Sequence, residues 1–223
     1  QRRKLDLGNG PSALVVDLAE KITTLVDGAD WALFAKNGTD ATTTCLTISR
    51  AATDKKKILV AKGSYHGSAP WCTPVATGVV EEDTSNLIFF EYNDLSSLEE
   101  AAQQAGNNLA GIILTAFRHD VRRDQEFPKK TFLKKARDIC DSKNAFLILD
   151  DVRAGFRLNR NGSWFDYGIK PDLTAFSKAI GNGYPLSAIV GTEKLRKAAS
   201  EIYVTGSFGA MPPRWQRALR LCQ

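Results

Sequence analysis

Three short stretches of this 223-residue chain carry residue types able to do covalent chemistry on a small molecule. Lys178 follows the apolar run Leu173 to Phe176 and Ser177, and precedes the turn sequence Ala179-Ile180-Gly181-Asn182-Gly183-Tyr184-Pro185. A lysine at the edge of a crevice can be shifted to a low pKa and attack carbonyls as a free amine. Asp150 and Asp151 follow a second apolar run, Ala145 to Leu149. Adjacent carboxylates there are costly to desolvate unless each finds a cation or a hydrogen-bond donor. A metal site and a helix or loop cap are the alternatives. Asn37-Gly38-Thr39-Asp40 is a glycine turn running into helical sequence. Its backbone N–H groups and the Thr39 hydroxyl can hold a phosphate at the positive end of the helix dipole. Taken singly, these features also read as a surface lysine, a capped strand end and an ordinary N-cap.

The elements that must position them turn three features into one site. Leu14 to Val26 reads as a helix with Leu14, Leu18, Ile22 and Leu25 near one face. Strands follow at Trp31 to Ala35, Lys57 to Ala61 and Leu87 to Phe90, with a helix from Thr39 to Ala52 after the first. Asp94 caps a helix carrying Leu95, Leu98 and Ala102, with Glu99 and Glu100 early in it. Ala110 to Leu114 is a fourth strand, and Pro128 opens a helix to Asp141 with Phe132, Ala136 and Ile139 inward. The run Ala145 to Leu149 has the pattern of a strand buried on both faces. Leu173 to Phe176 and Ala188 to Val190 are further strands, and Glu193 to Ile202 a last helix. Such alternation predicts an α/β fold, a mostly parallel sheet with helices on both faces. Ligands of open α/β sheets bind beyond the carboxyl ends of the strands. A phosphate cradle, an aspartate and a lysine each fall at a predicted strand end, and these are three of the groups that pyridoxal phosphate needs. The lysine forms an imine, and the aspartate keeps the ring nitrogen protonated so that the ring accepts electrons from a carbanion. Tyr65, after the strand ending at Ala61, adds an aromatic ring for the cofactor face.

Bulk properties narrow the alternatives. The chain is 43% hydrophobic and 25% charged, which suits one large globular domain able to stand without metals or disulfides. Its net charge of +5 is spread in short pieces such as Lys55-Lys56-Lys57 and Lys129-Lys130, which read as solvated faces rather than a nucleic-acid surface. Four scattered cysteines without a CxxC pair, and only two histidines, argue against zinc and for a reducing, cytoplasmic setting. No apolar run approaches the length of a membrane span, and no apolar signal core follows the basic start Gln1-Arg2-Arg3-Lys4. A nucleotide-binding reading built on Gly8-Asn9-Gly10 is weak, since no strand precedes it and no GxGxxG is completed.

The stretch Leu149-Asp150-Asp151-Val152-Arg153-Ala154-Gly155-Phe156-Arg157 resembles the DEVxTGFR motif of class III aminotransferases. Pro171 to Pro185 resembles their lysine motif PDxxxxxKxxGGGxP, Asn37 to Thr42 their phosphate loop SGTEAT, and Gly63 to Gly67 their GxYHG. The four occur in the family's order, over about Leu18 to Phe208. The resemblance implies a fold-type-I pyridoxal-phosphate enzyme that moves an amino group between a small-molecule donor and a carbonyl acceptor. It gives Lys178 the imine and Asp150 the ring nitrogen. Val152 lies under the ring and Tyr65 over its other face, with Gly38 and Thr39 at the phosphate. Thr205-Gly206-Ser207-Phe208 resembles the GGTF segment, which implies that Ser207 reaches the phosphate bound by a neighbouring subunit of a homodimer.

Within the family, Thr42 and Tyr92-Asn93-Asp94 lean toward the glutamate-1-semialdehyde aminomutase branch. That branch has a long Gly/Ser-rich lid where this chain has the short, glycine-poor interval from Ser68 to Glu91, so transamination is favoured over mutation. Asp151, Asn182 and Ser187 replace a glutamate and two glycines of the pattern, and Thr115-Ala116-Phe117-Arg118 replaces the expected Glu-Pro at a loop bordering the cofactor. The expected organisation is a pyridoxal-phosphate-binding large domain over residues 1–208, incomplete at its N-terminus, and a divergent tail over 209–223 in place of a small domain. That tail motivates a further alternative, a truncated relative that keeps the fold without turnover.

Overall fold

A computed structural model describes residues 13–119 and 124–204. In chain order the elements are α1 (Ala13–Leu25), β1 (Trp31–Ala35), α2 (Gly38–Thr53), β2 (Lys57–Ala61), α3 (Glu81–Thr84), β3 (Leu87–Phe90), α4 (Leu95–Ala105), β4 (Leu109–Thr115), α5 (Lys130–Lys143), β5 (Phe146–Asp150), β6 (Leu173–Phe176), β7 (Ser187–Gly191) and α6 (Arg196–Glu201). The strands form one sheet in the order β1-β7-β6-β5-β4-β2-β3. β7 is antiparallel to both its neighbours and every other pairing is parallel, so β7 alone runs against the rest. The fold is thus the mostly parallel α/β sheet that the alternation predicts.

Local chemistry explains where the helices begin and end. Asn37, extended at φ −147°, accepts the Asp40 N–H on its side chain at 2.9 Å and starts α2. Asp54, left-handed at φ 54°, stops it. Asp94 caps α4 by accepting the Ser97 N–H at 3.0 Å. α5 begins at Lys130 rather than at Pro128, because the proline belongs to the extended approach, and it ends at left-handed Asn144. The helix expected over Glu193 to Ile202 divides into a 3-10 turn, Glu193–Leu195, and the short α6.

Alternation along β5 shows how both faces are covered. Leu147 and Leu149 pack with Leu98, Phe132 and Ala136 under α4 and α5. Ile148, between them, packs on the other face with Cys45, Ile48 and Ile113 against α2. α1 completes the first face with Ile22 against Phe34, Phe176 and Val190. Each fully buried aliphatic side chain of β5 contributes roughly 2 kcal/mol by leaving water. The strand that ends in Asp150 is therefore fixed from both sides. Among the described residues, no helix is long and apolar enough to cross a membrane.

Candidate active site

A cavity of about 470 Å³ opens beyond the carboxyl ends of the parallel strands, beside the first turn of α2. Gly38, Thr39, Tyr65, Asp150, Val152 and Lys178 all line it. Ser207, expected at a neighbouring subunit's phosphate, and the tail 209–223 lie outside the described residues.

Asp150 is the last residue of β5 and is buried. Its Oδ2 accepts from His66 Nδ1 at 2.7 Å, and its Oδ1 accepts the Val152 N–H at 3.1 Å. A carboxylate offers about four lone-pair positions, so it retains acceptor capacity toward the cavity. His66 is itself held from α2. Its carbonyl accepts the Thr42 hydroxyl at 2.7 Å, and its ring stacks on Trp71, whose indole N–H donates to Thr43 Oγ1 at 2.9 Å. The other ring nitrogen of His66, Nε2, is buried with no hydrogen-bond partner among the described residues.

The adjacent carboxylates of the sequence take separate partners. Asp151 accepts the Ser163 N–H at 3.0 Å and the Ser163 hydroxyl at 2.6 Å. Burial pushes its carboxyl up to about 6, against the pull of those two Ser163 hydrogen bonds and with help from the charge of Asp150.

On the same cavity wall the first turn of α2 is a cradle with no spare room. A Cβ on Gly38 would meet Val152 Cγ1 at 2.8 Å and Cγ2 at 3.2 Å. Gly67, at φ +138°, lies against Thr39, where a Cβ would come within 2.5 Å of Oγ1 and 3.0 Å of Cα. Thr39 Oγ1 also accepts the Ser68 N–H at 3.2 Å. With the Asp40 N–H taken by Asn37, the N–H groups of Gly38 and Thr39 are first-turn donors with no intrahelical acceptor. An anion is the natural ligand for such a turn.

Lys178 follows β6 and opens a 3-10 turn, Lys178–Gly181. It is exposed and left-handed, at φ +47°, and its carbonyl accepts the Asn182 N–H at 3.1 Å. Ser177, just before it, donates to the Leu186 carbonyl at 3.1 Å, which ties the lysine turn back to the entry of β7. An amine, a buried carboxylate and an anion-binding helix end therefore share one cavity. Its tight glycine contacts and its deep carboxylate fit a flat, phosphorylated pyridine.

Three lining residues escaped the sequence reading. His66 lies inside the quoted GxYHG stretch, but its partner Asp150 is 84 positions away and nothing local names it. His119 and Arg153 also line the cavity. Burial and the Arg153 cation lower the pKa of His119. The available signals were the altered loop after β4, where Glu-Pro is missing, and the variable position of the DEVxTGFR motif.

Residues 8–215 match the family model for "Aminotransferase class-III", and the chain belongs to that family. It is 46% identical over 208 residues to aminopentol aminotransferase of Sphingopyxis macrogoltabida, covering 93% of this chain and 49% of that protein. It is 33% identical over 192 residues to 3-aminobutyryl-CoA aminotransferase of Cloacimonas acidaminovorans, covering 86% of this chain and 46% of that protein. A glutamate-1-semialdehyde 2,1-aminomutase of Francisella philomiragia is 30% identical over 217 residues, covering 91% of this chain and half of its own length. The solved structure of the FumI protein of Sphingopyxis sp. MTA144, in its PLP internal aldimine form, superposes with a TM-score of 0.89 at 44% identity, over 96% of this chain and 52% of that one. The chain spans about half the length of the curated relatives it matches. The family's cofactor is pyridoxal phosphate.

Proposed function

We propose that this chain is the cofactor-binding part of a pyridoxal-phosphate-dependent aminotransferase that passes an amino group from an amino acid or amine to a carbonyl acceptor. The observation that carries the reading is the convergence of Lys178, Asp150 and the first turn of α2 on one cavity. When bound, the cofactor supplies an electron sink for a carbanion. Lys178 holds it covalently between turnovers. The Lys178 amine would take the proton from the substrate carbon as general base and give it back as general acid. Asp150 holds a proton on the ring nitrogen, and its charge acts in a buried site where little water screens it. His66 fixes the orientation of that carboxylate through the 2.7 Å bond to Oδ2. Val152 and Tyr65, which line the cavity, would shield the ring from water. The Gly38 and Thr39 N–H groups hold the phosphate, with Ser207 of a partner subunit completing it in a homodimer. In the same reading, residues 1–208 form the cofactor-binding large domain and 209–223 a divergent tail.

The test is spectroscopic. Protein loaded with pyridoxal phosphate should show a visible absorbance band that borohydride fixes to the chain, and Lys178→Ala should lack it. An amino donor such as L-alanine or a primary amine should bleach the band within one half-reaction. A loaded protein with no band, or a band unchanged by a broad donor panel, would overturn the assignment and favour a relative that binds without turnover.

A second reading, an aminomutase of the glutamate-1-semialdehyde type, draws on Thr42, on Tyr92-Asn93-Asp94 and on the aminomutase relatives at 30% identity. The interval from Ser68 to Glu91, which contains the four-residue α3, is short for a lid that must retain a diamine. Conversion of glutamate-1-semialdehyde to 5-aminolevulinate without an added donor would decide for the mutase.

A further inference from the structure

Arg153 and His119 line the same cavity as Lys178 and Asp150, and the roles proposed above leave both unused. Arg153 is exposed on the cavity wall and forms no ion pair among the described residues. Arg118, its neighbour in type, is by contrast paired with Glu126 at 3.0 Å. The Arg118 and Glu126 backbones also exchange two hydrogen bonds, at 2.8 and 3.1 Å, which fixes the backbone next to His119. The His119 ring stands edge-on to Phe117, 5.3 Å between centroids, and its Nδ1 is buried with no hydrogen-bond partner among the described residues.

The charges of the cavity can be paired off. Asp150 is matched by His66 and the cofactor nitrogen and the anionic phosphate by the first turn of α2, while the exposed Asp40 exchanges two hydrogen bonds with Asn37. Lys178 is engaged as nucleophile and proton carrier. Arg153 is left as a cation with no ion pair among the described residues, and the buried imidazole of His119 lines the same cavity. We infer that Arg153 and His119 form a carboxylate-binding subsite, which directs the enzyme toward substrates carrying a carboxylate near the reacting carbon. This rests on the proposed function for its biological meaning. A planar guanidinium meets a planar carboxylate through two parallel N–H···O bonds. His119, kept neutral by burial and by the adjacent cation, adds one hydrogen bond without adding repulsion.

The experiment compares butanoate with butanamide, a charged and a neutral ligand of one shape that cannot react. Both are titrated by ligand-observed NMR into the full chain saturated with pyridoxal phosphate. If no cofactor binds, saturating inorganic phosphate occupies the α2 turn instead. Wild type should bind butanoate more tightly than butanamide by roughly 10- to 100-fold, the range of a charge-assisted pair. Arg153→Gln should abolish that preference while leaving the affinity for butanamide within about threefold. His119→Phe, which keeps the ring against Phe117, should reduce the preference several-fold. Wild type without a preference, or Arg153→Gln that retains it, would overturn the subsite whether or not the cofactor band forms. An equal loss for both ligands would overturn it as well. Absence of the cofactor band with the butanoate preference intact would instead count against the proposed function alone.

Discussion

Substituting Gly38 by alanine tests how tightly the first turn of α2 is seated against Val152. The new Cβ would stand 2.8 Å from Cγ1 and 3.2 Å from Cγ2, where relaxed carbon–carbon contacts lie at about 3.5–4.0 Å. A β-branched side chain has few rotamers to escape into, so either Val152 or the helix start must move. Overpacking of this kind costs roughly 1–3 kcal/mol. Alanine recovers up to about 1 kcal/mol over glycine in a helix, so Gly38→Ala alone should fall between near neutrality and about 3 kcal/mol of destabilisation. A double-mutant cycle with Val152→Ala removes that ambiguity, because the propensity gain is common to both backgrounds and cancels. Urea unfolding followed by circular dichroism should give a coupling of about 1–2 kcal/mol, with Gly38→Ala less harmful once Val152 is trimmed. A coupling within about 0.3 kcal/mol of zero would show that the turn slides freely and that glycine is not required there by contact.

Three further outcomes follow from the site. Asp150→Asn should slow amino-group exchange by on the order of 10²–10³, read as single-turnover bleaching of the cofactor band, and an unchanged rate would remove Asp150 from the ring nitrogen. Gly67→Ala should weaken pyridoxal-phosphate affinity roughly tenfold and destabilise the fold by about 1–3 kcal/mol, since it strains φ +138° and drives a Cβ into Thr39; cofactor titration that matches wild type would refute it. Asp151 carries a pH signature. Its folded carboxyl titrates near 6 against an ordinary 3.8, so between those values the folded protein holds a proton that the unfolded chain has lost, and stability falls as pH rises. The wild-type stability minus that of Asp151→Asn should drop by on the order of 3 kcal/mol from about pH 4 to 6 and stay level above. A difference that rises, or stays flat, would place Asp151 in a wetter setting.

The sheet strands and the strand-end residues were legible because both are local properties. A five-residue apolar run such as Ala145 to Leu149 announces burial on two faces, and the residue that follows it lies at the ligand edge of the sheet. The direction of β7 was not legible, because apolar content says nothing of which way a strand runs between β6 and β1. Nor was the role of glycine at position 38. The backbone donors could be anticipated from the turn, but the valine methyls that forbid a side chain come from the loop after β5, 114 residues on. His66 was hidden for the same reason: a histidine gains meaning from the carboxylate it meets, and Asp150 is remote in sequence. The Pro128 start of α5 was misplaced by two residues, since proline is compatible with the extended approach as well as with the first turn.

The left-handed backbone of Lys178 sets a conflict between durability and purpose at one position. A side chain with a Cβ gives up roughly 1 kcal/mol at φ +47° relative to glycine, and asparagine tolerates it better than lysine does. In the cofactor-free protein, Lys178→Gly or Lys178→Asn should therefore raise the melting temperature, by a few degrees for a chain of this size. A library of variants sorted on heat resistance alone would be drawn toward losing its amine at position 178, and only a simultaneous demand for cofactor would hold it there.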